Sequence, residues 1–230
     1  APLTETKSME RERPTFVHPS PRVRLRASVN KVTLQSFDRM SPDIGAALQD
    51  VALAEGDEAA SQFFVESMLP LINESFSGAL VTLIANLAAL AADRLGGRTI
   101  ASDLRAGCLR ETHKGPLTRS LRICGFFGLL YAHGVVVFTD FNSYITDLLV
   151  EVSDFRTECA IAVLESAGCA LPSESMSEYR SLIAPRVTQA GNRVRFRWED
   201  LDSKIQEAPP PALFQAEALT KPVERTPSQT

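Results

Sequence analysis

Between residues 119 and 171 the chain reads as three apolar segments separated by two short breaks. Ile123, Phe126, Phe127 and Leu130 recur at i, i+3, i+4 and i+7, which is one face of an α-helix. Gly134 follows where a helix-stopping C′ residue belongs. Ile145, Leu148, Leu149 and Val152 repeat the spacing, with Thr139 or Asp140 placed as N-cap. Phe155, Cys159, Val163 and Ala167 repeat it again behind Ser153 and Asp154. Links this short make neighbouring helices antiparallel. The stretch therefore predicts a helical hairpin and the first helix of the next one. Gly125 and Gly128 lie inside the first of these helices, each at a cost of about 0.8–1 kcal/mol against Ala. Close approach of a neighbouring backbone is the packing reason that offsets such a cost.

The rest of the chain extends the helical pattern. Residues 22–30 (RVRLRASVN) alternate like a strand over their first five positions, but the continuation reads otherwise. It predicts a short basic helix, a break near Thr33, and a helix over about 34–54 with Phe37, Ile44, Leu48 and Val51 on one side. Residues 55–58 predict a turn. A helix follows over 59–72 with Phe63, Phe64, Met68 and Leu71 inward and Pro70 disturbing its end. Residues 75–94 are apolar almost all round, the pattern of a helix central to a core, and Gly96 and Gly97 end them. Residues 100–113 are more polar, with Leu104, Cys108 and Leu109 on one side. After a loop at 172–177, Tyr179, Leu182, Ile183 and Val187 predict a helix to about Gln189, and Gly191 breaks it before a last helix, NRVRFRWEDL. The flanks differ in kind. Residues 1–21 are polar and proline-bearing and predict a disordered arm. Residues 206–230 carry Pro209, Pro210, Pro211, Pro222 and Pro227 and predict a disordered tail, in which 212–219 has the composition for a turn or two of helix on binding.

Composition narrows the class. Apolar residues are 44% and charged residues 23%, which is the globular range, and the length suffices for one domain with a full core. The net charge of −4 gives no global attraction to nucleic acid, so any RNA contact must come from a local patch. Cys108, Cys124, Cys159 and Cys169 form no C-x-x-C pair and read as reduced, buried cysteines of an intracellular protein. Their spacing disfavours a disulfide framework or a zinc site. The apolar run at 79–92 contains Asn86 and is too short to span a bilayer, and no signal-peptide pattern precedes it. The chain begins at Ala1 rather than Met, as a fragment or a processed form would.

No phosphate-binding glycine motif is present, and His18, His113 and His133 are scattered, with no metal-ligand pair and no nucleophile pattern beside them. The expectation is a protein that is not an enzyme and holds no cofactor and no metal. Charge does cluster. Arg22, Arg24, Arg26 and Lys31 stand at the start, and Arg193, Arg195 and Arg197 stand at the end beside Phe196 and Trp198. Such clusters are either solvated charge whose stems cover apolar surface, or contacts to an acidic partner or to RNA phosphates.

Three strings point further. They are VRLRASVNKVTLQSFDRM at the start, LRICGFFGLLYAHGVV with TECAIAVLESAGCAL in the middle, and GNRVRFRWEDL at the end. In order and spacing they resemble the middle domain of eukaryotic translation initiation factor 4G, a scaffold family shared with nonsense-mediated decay, splicing and deadenylation proteins. In that family a basic first helix ends in an Asn-Lys pair and a Thr starts a second helix carrying a Phe. The resemblance covers about residues 20–205 and is weak over 55–115. It implies an all-α fold over 22–205, with nine or ten helices in HEAT-like antiparallel pairs stacked in a short crescent, an α-α superhelix.

The resemblance also implies a cytoplasmic translation-initiation scaffold that binds and activates a DEAD-box RNA helicase of the initiation factor 4A type. Carried over to this sequence, the helicase-binding residues are Val29, Asn30, Lys31, Val32 and Phe37. Arg22, Arg24, Arg26, Arg193, Arg195 and Arg197 are the candidates for RNA or second-lobe contacts. Valine stands at 29 and 32 where the family often has leucine, and each missing CH₂ is worth about 0.8 kcal/mol of burial. That shortfall implies a weaker contact or a different helicase paralogue. The alternative for both valines is packing between the first two helices. Two other functions stay open: a decay or splicing scaffold with another helicase, and a direct RNA-binding helical domain. A cap-binding protein would be recruited through regions outside the folded domain. Tyr144–Val150 formally fits that partner's Y-x-x-x-x-L-Φ motif, but Leu149 belongs to the apolar face of a core helix.

Overall fold

The structure, a computed structural model, describes residues 19–73 and 78–207. The expected arm up to residue 18, the first residues of the helix expected over 75–94, and the proline-rich tail from 208 with its 212–219 stretch lie outside the described residues. Among the described residues the chain forms ten α-helices and no strand. They are α1 (Pro21–Lys31), α2 (Phe37–Glu55), α3 (Asp57–Met68), α4 (Gly78–Leu95), α5 (Gly97–Thr112), α6 (Leu117–Ala132), α7 (Phe138–Leu149), α8 (Asp154–Ala167), α9 (Ser173–Val187) and α10 (Asn192–Glu207).

Local chemistry sets most of the ends. Ser20 caps α1, and Pro21 follows at the first helical position, where its missing N–H costs nothing. Thr33 and Ser36 form a reciprocal capping box that starts the second helical segment, first as a 3-10 turn and then as α2. Pro42 lies inside α2, and the carbonyl of Asp38 that it leaves without an N–H accepts the Ser41 hydroxyl instead (3.3 Å). Ser153 caps α8 by accepting from Arg156 N–H. Gly134 takes a left-handed φ of 73° after α6, and the next two N–H groups, of Val135 and Val136, return to Leu130 O.

Some expectations fail for identifiable reasons. The turn expected over 55–58 contracts to Gly56, because Asp57 and Glu58 begin α3, where negative charge suits the helix N-terminus. Helix α7 starts at Phe138 with no side-chain cap, so neither Thr139 nor Asp140 is the N-cap. It stops at Leu149, and Val152, expected inward, is exposed. The stop is tertiary: Arg186 of α9 donates to the carbonyls of Leu149 (2.5 Å) and Glu151 (3.1 Å). Leu182, expected inward on α9, also faces out, while Tyr179, Ile183 and Val187 are buried as expected.

The helices form two rows. In one, α1 packs on α3, α3 on α5 and α5 on α7; in the other, α2 packs on α4, α4 on α6, α6 on α8 and α8 on α10. Side-chain pairs give the directions. Arg24 to Asp50 and Arg22 to Glu55 set α1 antiparallel to α2. Ser61 to Asp103 and Glu66 to Arg110 set α3 parallel to α5, as do Glu158 to Arg193 and Glu165 to Arg197 for α8 and α10. Antiparallel pairs repeated with each row running parallel make an all-α helical-repeat architecture.

Among the described side chains, α8 is the most enclosed helix: every residue from Thr157 to Leu164 is buried. The closeness of packing, not the number of neighbours, sets it above the more apolar α4. Helix α8 packs on α6, α7, α9 and α10 and lies closest against α6; α4 also packs on four helices, α2, α3, α5 and α6, but less closely, and leaves Ala89, Asp93 and Arg94 exposed. Helices α6 and α8 share the most extensive interface of the molecule. Gly128 makes it close, since a Cβ there would stand inside contact distance of the Val163 carbonyl oxygen and 3.0 Å from the Ala167 nitrogen. Backbone approach at this position is the compensation its helix-breaking residue requires.

Candidate functional site

The entry helices carry the first candidate surface. Leu25 and Val29, at i and i+4, turn to the same side of α1 and are buried there, and Val32, the extended residue just past its end, is buried too. Val29 is 0% exposed and Val32 6%, so the packing reading describes both, and neither side chain is presented to solvent as an anchor. Asn30 and Lys31 face outward beside them. The capped turn that follows brings Leu34 to the surface, 40% exposed, next to a half-buried Phe37 packed on the core. What this knuckle presents to solvent is therefore Asn30, Lys31, Thr33, Leu34 and Gln35 with one side of Phe37. In sequence Leu34 reads as the first residue of the helix over about 34–54; in the fold it stands in the 3-10 turn, outside the α2 periodicity.

The entry arginines are engaged with the protein itself. Arg22 pairs with Glu55 and Arg24 with Asp50 (2.6 Å). Hydrogen bonding to Arg22 holds the Glu55 carboxyl below its ordinary value, and the guanidinium is raised in return. Arg22 and Arg26 lie over the Phe63 ring, at 4.7 and 4.9 Å from its centroid. These contacts tie α1 to α2 and α3.

The exit arginines are engaged likewise. Arg193 donates to Glu158 at 2.9 Å, and Arg197 reaches Glu158 at 3.5 Å and Glu165 at 2.5 Å. Glu158 is a buried carboxylate, which without partners would carry a large desolvation cost. Burial works against the charge of Arg197, but hydrogen bonding to Glu165 and the two carboxylate charges raise its pKa on balance. Arg195 donates to Thr188 O at 2.8 Å. Trp198 is buried, whereas Phe196 is 65% exposed. Helix α1 packs on α2 and α3 while α10 packs on α8 and α9, so the fold holds the two arginine clusters at opposite ends of the rows rather than bringing them together.

Two further features lie between those ends. Thr112 donates to Cys108 O (2.8 Å), which commits its one proton, so the Tyr144 hydroxyl donates to Thr112 Oγ1 (3.0 Å). Cys124 Sγ lies 3.6 Å from that hydroxyl. Burial pushes the Tyr144 phenol and the Cys108 thiol up, so both stay neutral. Tyr144 is 0% exposed and stacks on Phe127 at 4.1 Å between centroids, which puts the start of the Y-x-x-x-x-L-Φ match inside the core. The second feature is a cleft of about 590 Å³ between α4, the start of α5 and the α6–α7 corner. Ala85, Ala88, Ala89 and Ala92 line it on one side, and His133 and Asp140 on the other. The alanines sit at helical spacing and read from sequence as core. Their small size is what leaves the space.

Among the described residues no group of three or more His, Cys, Asp or Glu side chains is placed to hold a metal ion, and no helix is long and apolar enough to cross a membrane. Compared with models of known protein families and with curated proteins, the chain gives no match.

Proposed function

We propose that this protein is a translation-initiation scaffold whose entry helices bind a DEAD-box RNA helicase of the initiation factor 4A type. The observation that carries this reading is the outward knuckle of Asn30, Lys31, Leu34 and Phe37. It falls on the string that resembles the entry of the initiation factor 4G middle domain, and Thr33 starts the second helical segment there by a capping box. A helical-repeat body suits such a role, because it offers long surfaces that separate lobes of one partner can share. One helicase lobe is held at the knuckle, and the later repeats touch the other. Holding the lobes near their closed arrangement shifts the population toward the ATP- and RNA-bound state, to the extent that the scaffold binds that state more tightly.

Direct RNA binding through the arginine clusters has less support. Arg22, Arg24, Arg193 and Arg197 are paired with carboxylates of the same chain, so phosphate would have to displace them.

The test is capture of purified initiation factor 4A by the protein, wild type against Lys31→Glu/Leu34→Asp, with circular dichroism on both. These positions are exposed, so the variant keeps its fold. Capture by the wild type and its loss in the variant support the reading. A folded wild type that captures no helicase sinks it.

A further inference from the structure

The cleft of about 590 Å³ between α4, the start of α5 and the α6–α7 corner has mostly apolar described walls. Ile100, Val135 and Val137 face the α4 side across it. Val137 is 57% exposed and its neighbour Phe138 is 39% exposed, so large apolar side chains stand in water at the rim. Concave, mostly apolar sites of about 300–1,000 Å³ are the usual size of a binding site.

Helix α10 ends on the edge where this cleft opens. Cys124 lies against Cys159 and Gly128 against Val163, so α6 and α8 run parallel, as α8 and α10 do. The C-terminal ends of α6, α8 and α10 therefore share one edge, and the cleft lies beside the end of α6. Arg197, ten residues before the end of α10, is level with Glu165, two before the end of α8. Helix α10 thus runs about 12 Å past α8. Packed helices are about 8–10 Å apart, so two steps across the row with that overshoot put the corner after α6 roughly 20–23 Å from Glu207.

We propose that residues 212–219 of this chain dock in this cleft as a short amphipathic helix. Ala212, Ala216 and Leu219 recur at i, i+4 and i+7 with Leu213 beside them, the spacing of a helix laid into a groove. Phe214 falls off that face and meets the exposed Val137 and Phe138 at the rim. Pro211 and Pro222 bound the segment, as residues that helices do not continue through. The chain from Glu207 to Leu213 spans about 20–22 Å when extended, which is the distance required. An isolated helix this short is marginal in water, so helix formation and docking occur together. The contact lies apart from the Asn30–Leu34 knuckle and does not depend on the helicase reading.

The test is hydrogen–deuterium exchange of the full chain, read by mass spectrometry on peptides covering 212–219. Ala89→Arg and Val137→Glu alter exposed positions of the cleft, and Leu213→Asp/Leu219→Asp alters the segment. Leu53→Arg, exposed at the end of α2, is the control, and circular dichroism checks each fold. In the wild type, 212–219 should exchange about tenfold or more slower than the same peptide free in solution. The cleft variants and the segment variant should bring it to the free rate, and Leu53→Arg should leave it slow. Exchange at the free rate in the wild type overturns the proposal, as does protection that survives the segment variant or a folded cleft variant. Protection that rises with protein concentration, alongside a dimer in sedimentation, also overturns it, in favour of a second copy supplying the segment.

Discussion

Gly128→Ala should destabilise the protein even though it improves helix propensity. The added Cβ would press on the backbone of α8 at two points, the Val163 carbonyl oxygen and the Ala167 nitrogen, the latter at 3.0 Å. Neither is the end of a flexible side chain, so the relief must come from moving α8 away from α6. Ordinary contact distances call for a retreat of about 1 Å, and a gap of that size forfeits roughly a quarter to a half of the van der Waals well for the atoms it separates. The atoms concerned are those of the molecule's most extensive interface. Overpacking of this kind costs about 1–3 kcal/mol, and rigid backbone on the receiving side places this case near 3. The propensity gain returns about 0.8–1 kcal/mol. The net is about 2 kcal/mol, or roughly 4–8 °C in Tm for a domain of this size. Gly45→Ala is the control. Its Cβ would lie 3.5 Å from Arg94 Nε and 3.7 Å from Leu90 Cδ1, both ordinary contacts, so the propensity gain should survive there. Thermal and urea unfolding followed by far-ultraviolet circular dichroism reads both variants. A Gly128→Ala protein as stable as wild type, beside a stabilised Gly45→Ala, would refute the close-packing argument.

Three further outcomes follow from burial and pairing. Val29→Asp should cost more than about 3 kcal/mol and lose the cooperative unfolding transition, while the neighbouring Lys31→Ala stays within about 0.5 kcal/mol of wild type; urea titration separates them. Glu158→Ala should cost about 2 kcal/mol, because it leaves Arg197 with Glu165 alone and frees the half-exposed Arg193 to water; an unchanged urea midpoint would show that α8 and α10 are held by packing only. Cys169 is exposed and the other three cysteines are buried, so a disulfide-exchange reagent should titrate one thiol promptly in the native protein and all four after unfolding; prompt native reaction of a second thiol would contradict the enclosed Cys108–Cys124–Cys159 region.

Much of the architecture is local in origin, and the sequence alone determined it. The 3.6-residue periodicity of Ile123, Phe126, Phe127 and Leu130 fixes both a helix and its inward face, because the same four residues must be removed from water whatever they meet. Thr33, Ser153 and Gly134 act within a turn of their own position, so caps and stops there were legible too. The exposed Asn30–Lys31 pair follows from the same face arithmetic that buries Leu25 and Val29, although the resemblance groups the pair with Val29, Val32 and Phe37. Only the tertiary structure decided what depends on distant partners. Val152 and Leu182 have core composition but no neighbour to bury them, and α7 stops at Leu149 because Arg186 arrives from 37 residues away. That α8 is more enclosed than α4 follows from its close packing on α6, which apolar content does not encode. A recess lined by Arg26, Arg110, Lys114 and Arg119 is the extreme case. Arg26, Arg110, Lys114 and Arg119 each look like a solvated charge in sequence, and charge interactions grow only when the fold brings them within a few ångströms. The packing of α1, α3, α5 and α6 brings them to one recess.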